Sequence, residues 1–172
     1  VDKNIECFDV SKKKPLKDLF YAMSHGVNRA TLKKGKNDSR IHFLNSLINK
    51  LVNVDYDFYG FQNKEPIWGN DFYKALINSK MGLNLSRGLP TKYYSSNRIA
   101  SLMGNGLLTF VDKKTQLNDI FNKKEIVLYE NISDLSQKIN FYKKNDNLRV
   151  KISSAGKKKY FKLFNELKRS EE

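Results

Sequence analysis

Between Ser86 and Arg98 the chain sets Arg87, Gly88, Lys92, Tyr93, Tyr94, Ser95, Ser96 and Asn97 into one short stretch. These are the residue types that a phosphorylated ligand needs. Arg87 and Arg98 can neutralise a diphosphate through forked, charge-assisted hydrogen bonds. Gly88 allows a backbone to approach a ligand closely. Ser95 and Ser96 sit where a helix begins, and Tyr93 or Tyr94 can stack on a nucleobase. The plainer alternative is a solvated loop whose tyrosines pack on the domain rim.

A second, weaker set is Ser24, His25, Gly26 and Arg40. His25 follows a short apolar run beside a glycine, which is where a ligand sits in a strand-to-helix loop. His42 reads as structural, in the first turn of a helix. With these two histidines and the single Cys7, no metal-ligand spacing is present and a zinc site is not expected. Asp55 and Asp57 alternate along a strand, which suits a solvated face better than a catalytic carboxylate pair. There is no G-x-G-x-x-G or P-loop signature. Cys7 excludes an internal disulfide framework and fits a reducing compartment.

These residues must be held by a scaffold, and the hydrophobic pattern describes one. Apolar runs at 19–23, 54–60, 81–85, 107–111 and 126–129 read as strands. Between them lie stretches with helical spacing. One carries Ile41, Leu44, Leu47, Ile48 and Leu51 and is capped by Ser39. Another opens at Gly69 or Asn70 and carries Phe72, Tyr73, Leu76 and Ile77. A third is capped by Ser95 or Ser96, with Ile99, Leu102 and Met103 inward. A short helix is expected around Leu117, Ile120 and Phe121. Another is capped by Asn131 or Ser133, and a last one from about Leu148 to Leu167 places Leu148, Ile152, Ala155, Phe161 and Phe164 inward. Residues 27–38 read as a polar loop.

Repeated β–α alternation implies a doubly wound, Rossmann-like parallel sheet flanked by helices. Ligands of such sheets bind beyond the carboxyl ends of the strands. The loops 24–40, 60–70, 86–98 and 111–116 are therefore the candidates; the first and third carry both Arg and Gly, and the other two read as ordinary connectors. Residues 1–16 read as a linker or lead-in and 17–172 as one ligand-binding α/β domain. The chain opens on Val1 without a signal-peptide pattern and reads as an excised segment.

The formal net charge is +14 over 172 residues, from 32 basic and 18 acidic side chains. Six of the basic residues are Arg and the other 26 are Lys, and Asn and Ile are also abundant. That joint excess is what AT-rich coding produces without selection. Attraction to phosphorylated donors or to an anionic membrane surface is the functional alternative. The lysines are dispersed and no nucleic-acid motif accompanies them, so no specific nucleic-acid partner is expected.

The segment SSNRIASLMGNGLLTFV, from Ser95 to Val111, resembles the donor-site helix and following strand of GT-B glycosyltransferases, in the group-1-like subfamily typified by spore-maturation enzymes. Arg98, Ile99, Ala100, Leu102, Met103 and Gly106 fit that frame. Leu117–Phe121, the run EIVLYEN, the helix at 134–142 and the closing segment Arg149–Tyr160 with Ala155-Gly156 follow the family's order. The resemblance extends over about residues 76–165. It implies the donor-binding, C-terminal half of a GT-B enzyme that moves a sugar from a nucleoside diphosphate to an acceptor without a bound metal ion or other cofactor. The acceptor site and any catalytic base then belong to an N-terminal half, so this segment alone should bind rather than turn over. The localisation implied is cytoplasmic, up to the inner face of the membrane. By the resemblance, Arg87, Gly88, Tyr94, Ser95, Ser96, Asn97, Arg98 and Ser101 line the donor site, with Ser24, His25, Gly26 and Arg40 as the second group. The family's ribose-contacting Glu falls on Ser101, which carries no charge. A non-catalytic Rossmann-like domain binding a nucleotide or a partner protein is the rival reading.

Overall fold

The computed structural model describes residues 5–6, 8–23, 31–32, 36–94 and 96–164. Five strands form one parallel sheet: β1 (Lys17–Ala22), β4 (Tyr56–Tyr59), β5 (Ser79–Asn84), β6 (Leu108–Asp112) and β7 (Val127–Tyr129), in the spatial order β4-β1-β5-β6-β7. The helices are α1 (Ser39–Ile48), α2 (Gly69–Ile77), α3 (Asn97–Gly104), α4 (Ile132–Lys144) and α5 (Asp146–Leu163). Two short strands, β2 (Thr31–Leu32) and β3 (Lys36–Asn37), pair antiparallel between β1 and α1, where only a loop is expected from sequence.

The central strands are apolar on both faces, as parallel strands covered on two sides must be. Leu19, Tyr21 and Met23 point into one core with Met81, Leu83, Leu108, Phe110, Val127 and Tyr129, against Leu44 and Leu47 of α1 and Leu135 and Ile139 of α4. Phe20 and Ala22 point into the opposite layer, with Ala75 and Leu76 of α2 and Leu102 of α3. A third cluster on Ile99, Met103, Val111, Leu117 and Phe121 is closed by Tyr160 of α5. Gly82 of β5 is a close approach: a Cβ there would lie 2.3 Å from Leu102 Cδ2.

Several local expectations give way. Asp38, not Ser39, caps α1, its carboxylate accepting from Arg40 N at 3.0 Å; a carboxylate one residue earlier reaches the free amide better than the hydroxyl. The segment after β6 forms two 3-10 turns, Lys113–Thr115 and Leu117–Asp119, rather than an α-helix. In α5 the buried stripe is Arg149, Ile152, Ser153, Gly156 and Tyr160, while Leu148 is 40% exposed. Small residues occupy that stripe because the helix runs against backbone: a Cβ on Gly156 would lie 2.2 Å from the Glu125 carbonyl oxygen.

The lead-in packs on the domain where it is described. Val10 is fully buried in the α2–α3 layer, its amide donates to Asn105 O at 2.9 Å, and Phe8 N donates to Asn105 Oδ1 at 3.1 Å. At the opposite end of the sheet from the strand carboxyl ends, Asp18 takes ion pairs from Lys80 at 2.9 Å and Lys143 at 2.8 Å and accepts from Asp55 N at 3.0 Å.

Candidate functional site

The chain leaves β1 toward β4 on one side and returns to β5 on the other, so the topological switch point lies between β1 and β5. In open α/β sheets ligands bind at such a point, beyond the carboxyl ends of the strands.

Arg98 sits across that point. It lies in the first turn of α3, and its Nε donates to the carbonyl of Ala22, at the end of β1, at 3.2 Å. Its Nη1 donates to the carbonyl of Leu85, just past β5, at 2.9 Å. The guanidinium carbon lies 4.9 Å from the Tyr21 ring centroid, and the Tyr21 hydroxyl donates to the same Leu85 oxygen at 3.1 Å. Burial lowers the Arg98 pKa, with the charge of Arg40 adding to the effect and Tyr21 opposing it. Arginine remains a cation at any ordinary pH. Burial likewise raises the Tyr21 pKa, so its phenol stays neutral.

Two more arginines converge on the same region. Arg40 is buried, and its fork closes on Asp38, Nη2 to Oδ2 at 2.6 Å and Nε to Oδ1 at 3.0 Å. Arg87 is 54% exposed, with Nε 3.8 Å from Asp38 Oδ2. One carboxylate therefore faces Arg40 and Arg87, with Arg98 close by, and the group carries an excess of positive charge.

The other residues expected at the site are placed as follows. Gly88 has φ +76 with open space around it, so its backbone conformation, not crowding, favours glycine. Ser96 occupies the cap position of α3 but makes no side-chain cap; its hydroxyl donates to Asn84 Oδ1 at 3.0 Å instead. Asn97 and Tyr94 are exposed. Tyr93 is tied down, its phenol donating to Asp119 Oδ2 at 2.7 Å and its amide to Thr115 O at 2.8 Å. Ser101 is half-buried, one turn along α3 from Arg98 and on a shared face, and its carbonyl accepts from Asn105 Nδ2 at 2.8 Å. Ser24, His25, Gly26 and Ser95 lie outside the described residues, as does Cys7.

Beside the arginines, a cavity of 160 Å³ opens under the 85–90 loop. Its walls include Ser39, Arg40, Asn84, Asp112, Thr115 and Tyr129. Sequence reasoning passed over Tyr129, Asp112 and Thr115, because a tyrosine ending a strand and a polar turn after the next one look like ordinary sheet and connector. Asp38 was missed for its neighbour Ser39. The one available signal was position: Asp38, Asn84, Asp112 and Tyr129 all stand at the ligand-side end of an element. Among the described residues no cluster of three or more His, Cys, Asp or Glu side chains could hold a metal ion. No helix among them is long and apolar enough to cross a membrane.

A family model described as glycosyl transferase-like matches residues 30–171, so the chain belongs to that glycosyltransferase-like family. No curated protein matches the sequence significantly. Among solved structures, the fold is similar to the crystal structure of TarM, with a TM-score of 0.65 at 15% identity over 93% of this chain. The chain spans 35% of the length of that protein. The five-stranded parallel sheet flanked by helices is thus a Rossmann-like α/β domain, the fold it shares with that structure.

Proposed function

We propose that this domain binds the donor of a glycosyl transfer, a nucleoside diphosphate sugar, at the β1–β5 switch point. The observation that carries the reading is Arg98, which spans Ala22 O and Leu85 O and so places a fixed cation between the two strands where a crevice ligand's phosphates would lie. Arg40 and Arg87 extend the positive field, and Gly88 permits close backbone approach. Preorganised cations of this kind stabilise a departing diphosphate as negative charge develops on it, which is the role a metal ion plays elsewhere. The acceptor site and any catalytic base belong to an N-terminal half of the same parent chain, so the segment alone binds donor without turning it over. The spore-maturation-type subfamily remains the finer assignment within the family, and a cytoplasmic setting with the lysine-rich exterior against an anionic membrane face remains the proposed location.

The test is calorimetric titration of the 172-residue chain with UDP, GDP, ADP and dTDP in excess chelator. One of them should bind in the micromolar to millimolar range without added metal. A salt series separates a specific site from general polyanion attraction, whose affinity falls steeply and linearly with log salt. Absence of saturable binding by all four would sink the donor reading. Ser101, uncharged where the family pattern has Glu, favours a second reading, a non-catalytic domain that binds a nucleotide or a partner protein. That reading expects nucleotide binding with no transfer even when the parent chain is complete.

A further inference from the structure

Tyr129 ends β7 with its side chain 1% exposed, and its hydroxyl is buried without a hydrogen-bond partner. A buried, unpaired hydroxyl carries a desolvation penalty that native proteins rarely leave in place. Burial also raises the Tyr129 pKa well above its ordinary value, with Asp112 adding to the effect, so the group is a neutral donor and acceptor. Tyr129 lines the cavity under the 85–90 loop, whose walls bring further polar groups from four different elements. Asn84 is buried and receives the Ser96 hydroxyl on its Oδ1, leaving its amide N–H groups to donate. Asp112 offers a carboxylate of which one oxygen accepts from Lys114 N at 2.8 Å. Thr115 is buried and gives its own proton to the Asp112 carbonyl at 2.7 Å, so its oxygen lone pairs remain.

The wall is therefore mixed, with donors and acceptors but no surplus of positive charge. The Arg40 guanidinium is already closed on Asp38, and Asp112 opposes an anion. The volume of 160 Å³ lies below the roughly 300–1,000 Å³ of pockets that enclose a whole drug-sized ligand, so the cavity takes a part of a nucleotide sugar, on the scale of one polar ring. Arg40 and Leu85 are shared between this cavity and the arginine cluster, so a ring seated here is directly next to a diphosphate held at the switch point.

We propose that this cavity seats the neutral, hydroxyl-bearing glycosyl group of the donor, and that Tyr129 is a specificity-determining residue that hydrogen-bonds one of its hydroxyls. The inference rests on the donor reading and deepens it: it says which side of the switch point the sugar occupies and which side chain reads it.

The experiment compares the parent chain with Tyr129→Phe by calorimetry, using UDP, GDP, ADP and dTDP and the glucose conjugate of each. Tyr129→Phe removes only an unpaired oxygen, so its thermal melt should match or exceed the parent's. The parent should bind the cognate sugar conjugate more tightly than the bare diphosphate, and the variant should lose roughly three- to tenfold of that affinity, the range for one neutral hydrogen bond. Affinity for the bare diphosphate should not change. Equal losses for diphosphate and conjugate, or no loss at all, would overturn the assignment. If no diphosphate binds, the donor reading fails, and free glucose, galactose and inorganic phosphate followed by amide shifts decide the cavity alone. Hexose-induced shifts at Asn84, Asp112 and Thr115 that vanish in Tyr129→Phe support it; phosphate shifts at those residues, or none from any sugar, reject it.

Discussion

Arg98 and Tyr21 share one acceptor. The guanidinium lies over the phenol ring at 4.9 Å while both groups donate to the carbonyl oxygen of Leu85. The pair therefore fixes the carboxyl end of β1 to the loop after β5 and at the same time sets the direction of a cation at the switch point. Replacing Arg98 should have two separable effects. Arg98→Ala should weaken nucleoside diphosphate binding by about 1.5–3 kcal/mol, the range for hydrogen bonds to charged groups. It should also lower stability, since Ala22 O loses the Arg98 donor and Leu85 O is left with the Tyr21 hydroxyl. Arg98→Lys keeps the charge without the fork, so it should recover part of the affinity but not both carbonyl bonds. Calorimetry at matched fraction folded checks this; identical diphosphate affinity in all three proteins would remove Arg98 from the site.

Asp38 is the counterweight to that positive charge. Its carboxylate is fully buried against Arg40 and also caps α1. Asp38→Ala should cost about 3–5 kcal/mol, because it removes the carboxylate from a buried ion pair and uncaps a helix end. Inorganic phosphate should restore part of the loss by mass action on the folded state. Urea melts with and without phosphate test this, and a variant as stable as the parent would show that Arg40 is not held by Asp38 in solution.

Ser101 lies on the Arg98 face of α3 and is half-buried, so a longer polar side chain can reach outward. Ser101→Glu should leave the cooperative melt intact and raise nucleotide-sugar affinity, less any part lost to an ion pair with Arg98. Thermal unfolding and titration of this variant settle the register: collapse means an unpaired buried carboxylate, at several kcal/mol, and unchanged affinity means that Ser101 does not face the ribose.

Acid stability should be governed in part by Asp18. Its carboxyl is buried, which raises the pKa, but hydrogen bonds from Lys143, the Asp55 amide and Lys80 outweigh burial and hold it below its ordinary value of 3.8. A depressed folded-state pKa stabilises above the unfolded value and is lost as pH falls through the folded one. The parent should therefore lose stability below about pH 4. Asp18→Asn should be less stable at pH 7 and show a flatter acid limb, measured as denaturant midpoints between pH 2 and 7.

Much of the fold was legible in the sequence because its signals are short-range and redundant. Leu19, Tyr21 and Met23 alternate with Phe20 and Ala22, so a two-faced apolar strand is written in five consecutive residues. Ile99, Leu102 and Met103 are all buried, as their helical spacing requires. The site was legible only in part. Arg98 and Gly88 stand out by type, whereas the roles of Tyr21, Asp38 and Tyr129 arise from strands and turns far apart in the chain that meet only when the sheet forms. The α5 stripe was misread for a related reason: a helix lying against backbone buries Gly156 and Ser153, which no hydrophobicity pattern marks.

Gly82 gives a different kind of control over the same site. Ordinary carbon contacts run at about 3.5–4.0 Å, so the 2.3 Å that a Cβ at position 82 would leave to Leu102 falls short by more than an ångström. Leu102 is fully buried in the layer that also holds Val10 and Leu107, so its side chain can yield only by displacing neighbours or the helix that carries it. One such response is for α3 to ride higher over β5. A rise of that size would lengthen the Arg98 bonds of 3.2 and 2.9 Å beyond hydrogen-bonding distance. The missing methyl group of one glycine, on the buried face of the sheet, thus acts as the gauge block for the cation at the switch point.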